Sequence, residues 1–342
     1  MELSRTINSD KRYYLDENTI ENTASFLQTM CVFNDAKIDL YNALYDQKYL
    51  VSGPLIDHAY PVFLKEKYKT NDYYNAAIYS AASGSLSSQK ELKKYYSTTI
   101  TADLKTRDEK IQTIQEALDK KKAVKNSIRI YRKDGRWITP YPRCQLKVKG
   151  LMIVLFNKTV VKLDEYERSV EADIRKLKTR LALVTEARRR KEKKLENIKN
   201  LPPERIVFGG KKLYSEKDTM GAAKSAEDTK ALQKVSNEWK QEFFEKRHQS
   251  MALPGRHTSK YGNFLCKYDG KDLSVTCIDG TTTVFHDFKL PRYNEAFQNN
   301  FTCKPEDRQS ICYNFTVKRD RKNRQYIICL LYTSDAADEA RS

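Results

Sequence analysis

The chain has 342 residues, enough for two or three domains and for burial that needs no disulfide staples. Lys and Arg number 63 against 45 Asp and Glu, a formal charge of +18 that exceeds what solubility requires and points to a polyanionic partner. Nucleic acid fits best, because 22 Tyr and 13 Phe supply stacking faces beside the charge. The cysteines at 31, 144, 266, 277, 303, 312 and 329 are odd in number and form no CxxC pair, so they signal neither a disulfide framework nor a zinc ribbon and are expected reduced. The opening Met1-Glu2-Leu3-Ser4-Arg5 lacks the basic-then-apolar run of a secretory signal, and no stretch reaches the length of a membrane span. A cytoplasmic protein with no membrane partner is the expectation.

Residues 15–50 place Ile20, Leu27, Met30, Phe33, Leu40 and Leu44 at the three-and-four spacing of one helix face. Gly53-Pro54 breaks this helix, and residues 55–92 read as further short helices divided by a Ser83-Gly84-Ser85 turn. Residues 99–125 predict another helix with Leu104, Ile111, Ile114 and Leu118 as its buried stripe. From 127 to 156 the period changes around Ile128, Ile130, a Lys133-Asp134-Gly135 turn, Trp137, Pro140 and Pro142, which reads as an irregular insert with a hairpin.

A long helix follows over about residues 160–199, with Leu163, Val170, Ile174, Leu177, Leu181, Val184, Leu195 and Ile198 in alternating four-and-three steps that call for a helical partner. The helix of residues 99–125 is the expected partner, with the insert as the tip of an antiparallel pair. Arg188 and Lys191 interrupt that seam inside Arg188-Arg189-Arg190-Lys191-Glu192-Lys193-Lys194. Charge is costly in a closed seam, and two readings stay open: the run faces phosphate, or the helix end splays into water.

Leu201-Pro202-Pro203 ends the helix, and Arg205-Ile206-Val207-Phe208 alternates like a strand into Gly209-Gly210. A helix over about 225–247 precedes short alternating strands near 264–268, 273–278, 281–288, 310–317 and 325–328, a spacing that suggests a small barrel. At the end, Cys329-Leu330-Leu331-Tyr332-Thr333-Ser334-Asp335-Ala336-Ala337-Asp338-Glu339 turns abruptly small and acidic. This string resembles the codon-by-codon translation of a sequencing-library adapter, so residues 329–342 are set apart as an artefactual tail and the natural sequence is expected to stop near Ile328.

Two blocks carry a family resemblance. Ile206-Val207-Phe208-Gly209-Gly210-Lys211-Lys212-Leu213-Tyr214, after the basic helix, is similar to the Phe-Gly-Gly-Lys-Lys-Leu-Phe element of the OrfB/TnpB family of insertion-sequence proteins, relatives of type V CRISPR effector nucleases. Trp239, Arg247, Gly255, Gly262-Asn263 and Cys266 resemble a second family run of Trp, Arg, Gly, Gly-Asn and Cys. Tyr214 stands where the family has Phe, and Arg256-His257-Thr258-Ser259-Lys260 stands where the family has an acidic pair.

The resemblance implies an α+β chain: a helical recognition lobe over residues 15–203 with the 127–156 insert, then a β-barrel-like (wedge or OB-like) domain over 204–328, to which residues 1–14 add a first strand. It implies guide RNA and target DNA as partners, with sequence read by base pairing and the protein recognising shape and charge. In the family a RuvC-like nuclease domain follows, with acidic catalytic residues and magnesium. Here it is expected to be absent, so no catalytic residue, metal site or cofactor is assigned, Asp335 and Asp338 have no role, and the chain is expected to cut nothing.

The residues assigned to nucleic-acid contact are Arg188, Arg189, Arg190, Lys193 and Lys194 on the helix, Gly209, Gly210, Lys211, Lys212 and Tyr214 in the glycine element, and Arg247, Arg256 and Asn263 beyond it. Paired glycines let backbone approach a ligand closely while two ammonium groups lie beside it. The short Leu201-Pro202-Pro203 joint suggests that both basic segments flank one groove. Trp239 with Phe243 at i+4 reads as core packing, and His248 and His257 as surface residues. The rival class is a structural coiled-coil adaptor, motivated by the heptads. A conventional transposase would need an acidic or tyrosine active site that nothing here supplies.

Overall fold

The computed structural model describes residues 3–8, 13–14, 20–50, 56–217, 226–256, 258–259, 262–288, 312–320 and 325–334. In chain order the elements are β1 (Leu3–Asn8), β2 (Tyr13–Tyr14), α1 (Thr23–Tyr49), α2 (Ile56–Tyr68), α3 (Asp72–Asp134), β3 (Lys147–Lys149), β4 (Met152–Val154), β5 (Val160–Lys162), α4 (Leu163–Asn200), α5 (Lys211–Glu216), α6 (Ala226–Arg247), β6 (Ser250–Leu253), β7 (Cys266–Tyr268), β8 (Leu273–Thr276), β9 (Thr282–Phe285), β10 (Tyr313–Asp320) and β11 (Gln325–Ser334). The chain is α+β, as expected. It divides into two compact units, Met1–Ser88 with Glu204–Ser342, and Gln89–Pro203. The partition differs from a helical lobe followed by a β domain, because the first helices share a core with the sheets.

In the first unit, Phe26, Met30, Phe33, Leu40 and Tyr41 line the buried face of α1, and the alternate residues Tyr313, Phe315 and Val317 of β10 and Tyr326, Ile328 and Leu330 of β11 are buried in the same cluster. Edge-on aromatic contacts tie α1 to both sheets of this unit: Phe26 meets Phe285 of β9 at 5.2 Å and Tyr326 of β11 at 5.3 Å. One antiparallel sheet runs β1-β11-β10-β6, with β2 paired to the start of β11, and a second runs β7-β8-β9. Among the described residues these sheets are open and no closed barrel forms. Residues 329–334 continue β11 instead of lying apart from the fold: Cys329 pairs with Asn8 and Thr316, and Leu330 is fully buried, because the alternation of Tyr326 and Ile328 runs on through it.

Three local expectations change. Ser83-Gly84-Ser85 lies inside α3, where the Ser83 and Ser85 hydroxyls donate to the Tyr79 and Ala81 carbonyls one turn back and the stripe Ile78, Ala82, Leu86 keeps the helix packed. Residues 128–134 also remain helical; Gly135, at φ 66, ends the helix as its N–H returns to the Tyr131 carbonyl at 2.9 Å. Residues 205–208 are not a strand: the Ile206 N–H goes to the Tyr41 hydroxyl of α1, and the Val207 carbonyl accepts from the Gly210 N–H. Gly53-Pro54 falls outside the described residues.

The second unit is an antiparallel helix pair made by the later part of α3 and by α4. As residue number rises along one helix it falls along the other: Lys93 donates to the Leu201 carbonyl at 2.9 Å, Lys191 pairs with Asp103 at 3.1 Å, Lys121 with Asp173 at 2.7 Å and Arg132 with Glu167 at 2.7 Å. The apolar cluster of Leu118, Val124, Ile128, Ile153, Leu163, Val170 and Ile174 sits toward the tip, where a three-stranded sheet β3-β4-β5 closes the pair. No helix among the described residues is long and apolar enough to cross a membrane.

Candidate nucleic-acid interface

The glycine element is a clasp between α1 and α6. Upstream, the Ile206 N–H donates to the Tyr41 hydroxyl at 3.1 Å, Phe208 meets Tyr41 edge-on at 5.1 Å, and Arg205 pairs with Asp46 while lying over the Tyr45 ring. Lys37 sits 5.4 Å from the centre of the Phe208 ring, and burial pushes its ammonium pKa down to about 8. Downstream, the Trp239 indole N–H donates to the Leu213 carbonyl at 2.7 Å and its ring stacks on Phe243 at 5.3 Å. Trp239 therefore serves packing.

The two glycines do different things. Gly209, at φ 99, faces the Phe243 ring so closely that a Cβ would stand 2.8 Å from Cε2, so its lack of a side chain is used by internal packing. Gly210, at φ 101, caps α5 and a Cβ there would meet nothing within 4 Å. Beyond it Lys211 pairs with Glu204 at 2.5 Å and holds that carboxyl below its usual range, Lys212 is exposed, Leu213 is buried, and the half-exposed Tyr214 ring lies 5.9 Å from Phe243. Of the predicted contacts in this element, Gly210, Lys211, Lys212 and Tyr214 face outward, Lys211 with its ammonium on the exposed Glu204.

The second family-like block is mostly architecture. Gly255 lies against β10, where a Cβ would come within 2.3 Å of the Tyr313 carbonyl oxygen and 2.6 Å of that of Gly262. Asn263 is 1% exposed; its amide donates to the Leu253 and Tyr313 carbonyls at 3.0 and 3.2 Å, and its oxygen accepts from the Leu265 and Cys266 N–H groups at 3.0 and 3.1 Å. With its hydrogen-bonding capacity used internally, Asn263 is a bracket between loop and sheet and not a nucleic-acid contact. Arg256 is exposed on the same loop.

Arg247, at the end of α6, is half-buried with one guanidinium nitrogen 3.8 Å from Asp35 and its Nε without a hydrogen-bond partner. Beside it His248 is 5% exposed, which corrects the surface assignment: Nδ1 lies 2.6 Å from the Phe244 carbonyl oxygen and Nε2 2.9 Å from the Asp35 carboxylate. His257 lies outside the described residues. Near this end of α1, burial raises the Asp39 carboxyl, but hydrogen bonds from Lys67 and Tyr68 outweigh it and hold the group below its ordinary range.

In the second unit the basic run is largely neutralised by its own chain. Arg188 pairs with Asp108 at 2.5 Å and with Glu192 at 2.9 Å, and Lys191 with Asp103. Arg189 and Arg190 both hydrogen-bond Glu186, whose carboxyl they hold down to about 2. Seam positions 188 and 191 thus face carboxylates of the partner helix, neither of the two readings that the sequence left open. Lys193 and Lys194 are exposed. This run belongs to one compact unit and Lys211 and Lys212 to the other.

No protein-family model, curated protein or solved structure matches this chain. Among the described residues no group of three or more His, Cys, Asp or Glu is placed to hold a metal ion. The tail residues Asp335 and Asp338 lie outside the described residues.

Proposed function

We propose that this chain binds structured RNA together with a paired DNA strand, as the nucleic-acid-holding part of a transposon-associated, RNA-guided DNA endonuclease of the OrfB/TnpB type, in the cytoplasm. The observation that carries this reading is the excess of 63 basic over 45 acidic residues, a charge of +18. The two family-like blocks support it as a resemblance, and the outward Lys212, Tyr214 and Arg256 and the exposed Lys193 and Lys194 are side chains that phosphates and bases can reach. The helical recognition lobe and the wedge-like domain of that family are the finer fold assignment that goes with the proposal.

The coiled-coil adaptor reading needs a second chain to cover the heptads of α4. Within this chain α3 already lies along them, with cross-pairs from Lys93 to Arg132. The deciding experiment is filter binding of the full chain to a structured RNA across a salt series. Affinity should fall steeply as salt rises, because phosphate contacts release counterions. No binding to RNA or DNA, or affinity indifferent to salt, refutes the proposal.

A further inference from the structure

The stretch between the helices of the second unit has a one-sided charge. Residues 135–163 contain no Asp or Glu, yet include Arg136, Arg143, Lys147, Lys149, Lys158 and Lys162. All six are exposed, and among the described residues none of them is in an ion pair. Elsewhere in this unit five cations, Lys121, Lys125, Arg132, Arg188 and Lys191, are held by carboxylates of the facing helix.

The sheet arranges them. Strand alternation turns Val148, Ile153 and Val161 toward the helices, with Ile153 fully buried. The opposite face then carries two cross-strand rows, Lys149–Met152–Lys162 and Lys147–Val154–Val160. Lys149 and Lys162 flank Met152 about 10 Å apart, twice the spacing of neighbouring strands. Just past β4, Leu155 packs on the core and Phe156 next to it stands out at 78% exposed.

The platform is braced. The Tyr131 hydroxyl donates to the Gly150 carbonyl at 3.2 Å, the Leu163 N–H to the Leu151 carbonyl at 2.9 Å, and the Lys158 N–H to the Leu155 carbonyl at 3.0 Å.

We infer that this outward face of β3-β4-β5 binds single-stranded nucleic acid, with bases on Met152, Val160 and Phe156 and phosphates on Lys147, Lys149 and Lys162. The inference deepens the nucleic-acid reading of the whole chain and rests on it. A duplex would present only its backbone and leave the apolar side chains between the lysines without use, whereas a single strand offers base faces and phosphates together. An anionic lipid surface shares the cation chemistry. Its apolar anchors would be gathered into one wedge, but here Phe156 and the 82% exposed Leu151 occupy turns at opposite ends of β4.

The test is fluorescence anisotropy of the full chain with a short labelled oligouridine, in a salt series, beside a structured RNA. Lys149→Gln with Lys162→Gln should weaken oligouridine binding about tenfold and reduce the salt slope by about 1.4, the share of two phosphates on a single strand. Phe156→Ala should weaken it at least about fivefold with the slope unchanged, because stacking releases no counterion. All are exposed positions, and circular dichroism should show unchanged folding.

If the unsubstituted chain binds the structured RNA but not oligouridine, or if both variants bind oligouridine as it does, the inference is overturned while the general reading stands. If the chain binds no nucleic acid, both fall. Vesicles of phosphatidylcholine with one quarter phosphatidylserine complete the set: binding to them that depends on Lys149 and Lys162, with oligouridine affinity unaffected by the same substitutions, assigns the face to lipid and overturns the inference.

Discussion

The two units stabilise themselves by different means. The first closes around large aromatic and aliphatic side chains drawn from opposite ends of the sequence, and within it the buried Asn263 spends its hydrogen bonds internally. The second is a long helix pair whose apolar cluster lies toward the tip and whose seam is laced by ion pairs from Arg132 to Lys191. The contrast shows why a motif match is a poor guide to contact. In the first unit Gly209, Gly255 and Asn263 are consumed by architecture, and in the second Arg188 and Lys191 are consumed by partner carboxylates.

The comparison can be broken most forcefully at Asn263. Asn263→Ala leaves two buried carbonyls and two buried N–H groups without their partner, so the expected loss is about 4 kcal/mol of stability, at about 1–3 kcal/mol for each unsatisfied group with partial relaxation. A urea melt measures it. A loss under about 1 kcal/mol would mean that water or a neighbour replaces the side chain and that the bracket is dispensable.

Gly209→Ala should cost less, about 2 kcal/mol, from the backbone conformation at φ 99 and the encroachment on Phe243. RNA affinity of the folded fraction should stay unchanged, because this glycine faces Phe243. A variant that keeps its stability but loses RNA binding would return Gly209 to the contact surface.

The smallest effect belongs to the ion-paired seam. Arg188→Gln with Lys191→Gln should lower the thermal midpoint by only about 1–4 °C, and the difference should shrink in high salt, as it does for exposed pairs. Acid should act in the same direction. The Lys191 hydrogen bond, with help from Arg107, holds the Asp103 carboxyl below its ordinary range, and Arg189 and Arg190 hold Glu186 down to about 2. Depressed carboxyls contribute stability above their unfolded pKa values of about 4 and lose it as pH falls through the folded values. The midpoint should therefore decline as pH drops from about 4.5 toward 2, and Asp103→Asn should flatten part of the decline. A seam indifferent to both salt and acid would show that burial, not charge, holds this helix pair.

The sequence alone determined the α+β class, helices α1, α4 and α6, the strands β7 to β10 to within a few residues, the start but not the end of β11, and the antiparallel partnership of α3 with α4. Hydrophobic periodicity is a local signal, and these elements turn their apolar period to a core. Tertiary structure decided the rest. Ser83-Gly84-Ser85 carries every local sign of a turn, yet its serines bond back into a helix that neighbouring apolar residues hold in place. Residues 205–208 alternate like a strand but spend their backbone and rings on Tyr41 and Tyr45 of α1.

His248 is buried because Asp35, far back in the chain, meets its ring. For the site, local sequence could mark which residues are cationic but not which cations are already paired. Asp103 and Asp108 reach Lys191 and Arg188 only through the register of two long helices, and the outward alignment of Lys149 with Lys162 exists only once β3, β4 and β5 pair side by side. Charge is a property of residues, whereas availability depends on what long-range packing places beside them.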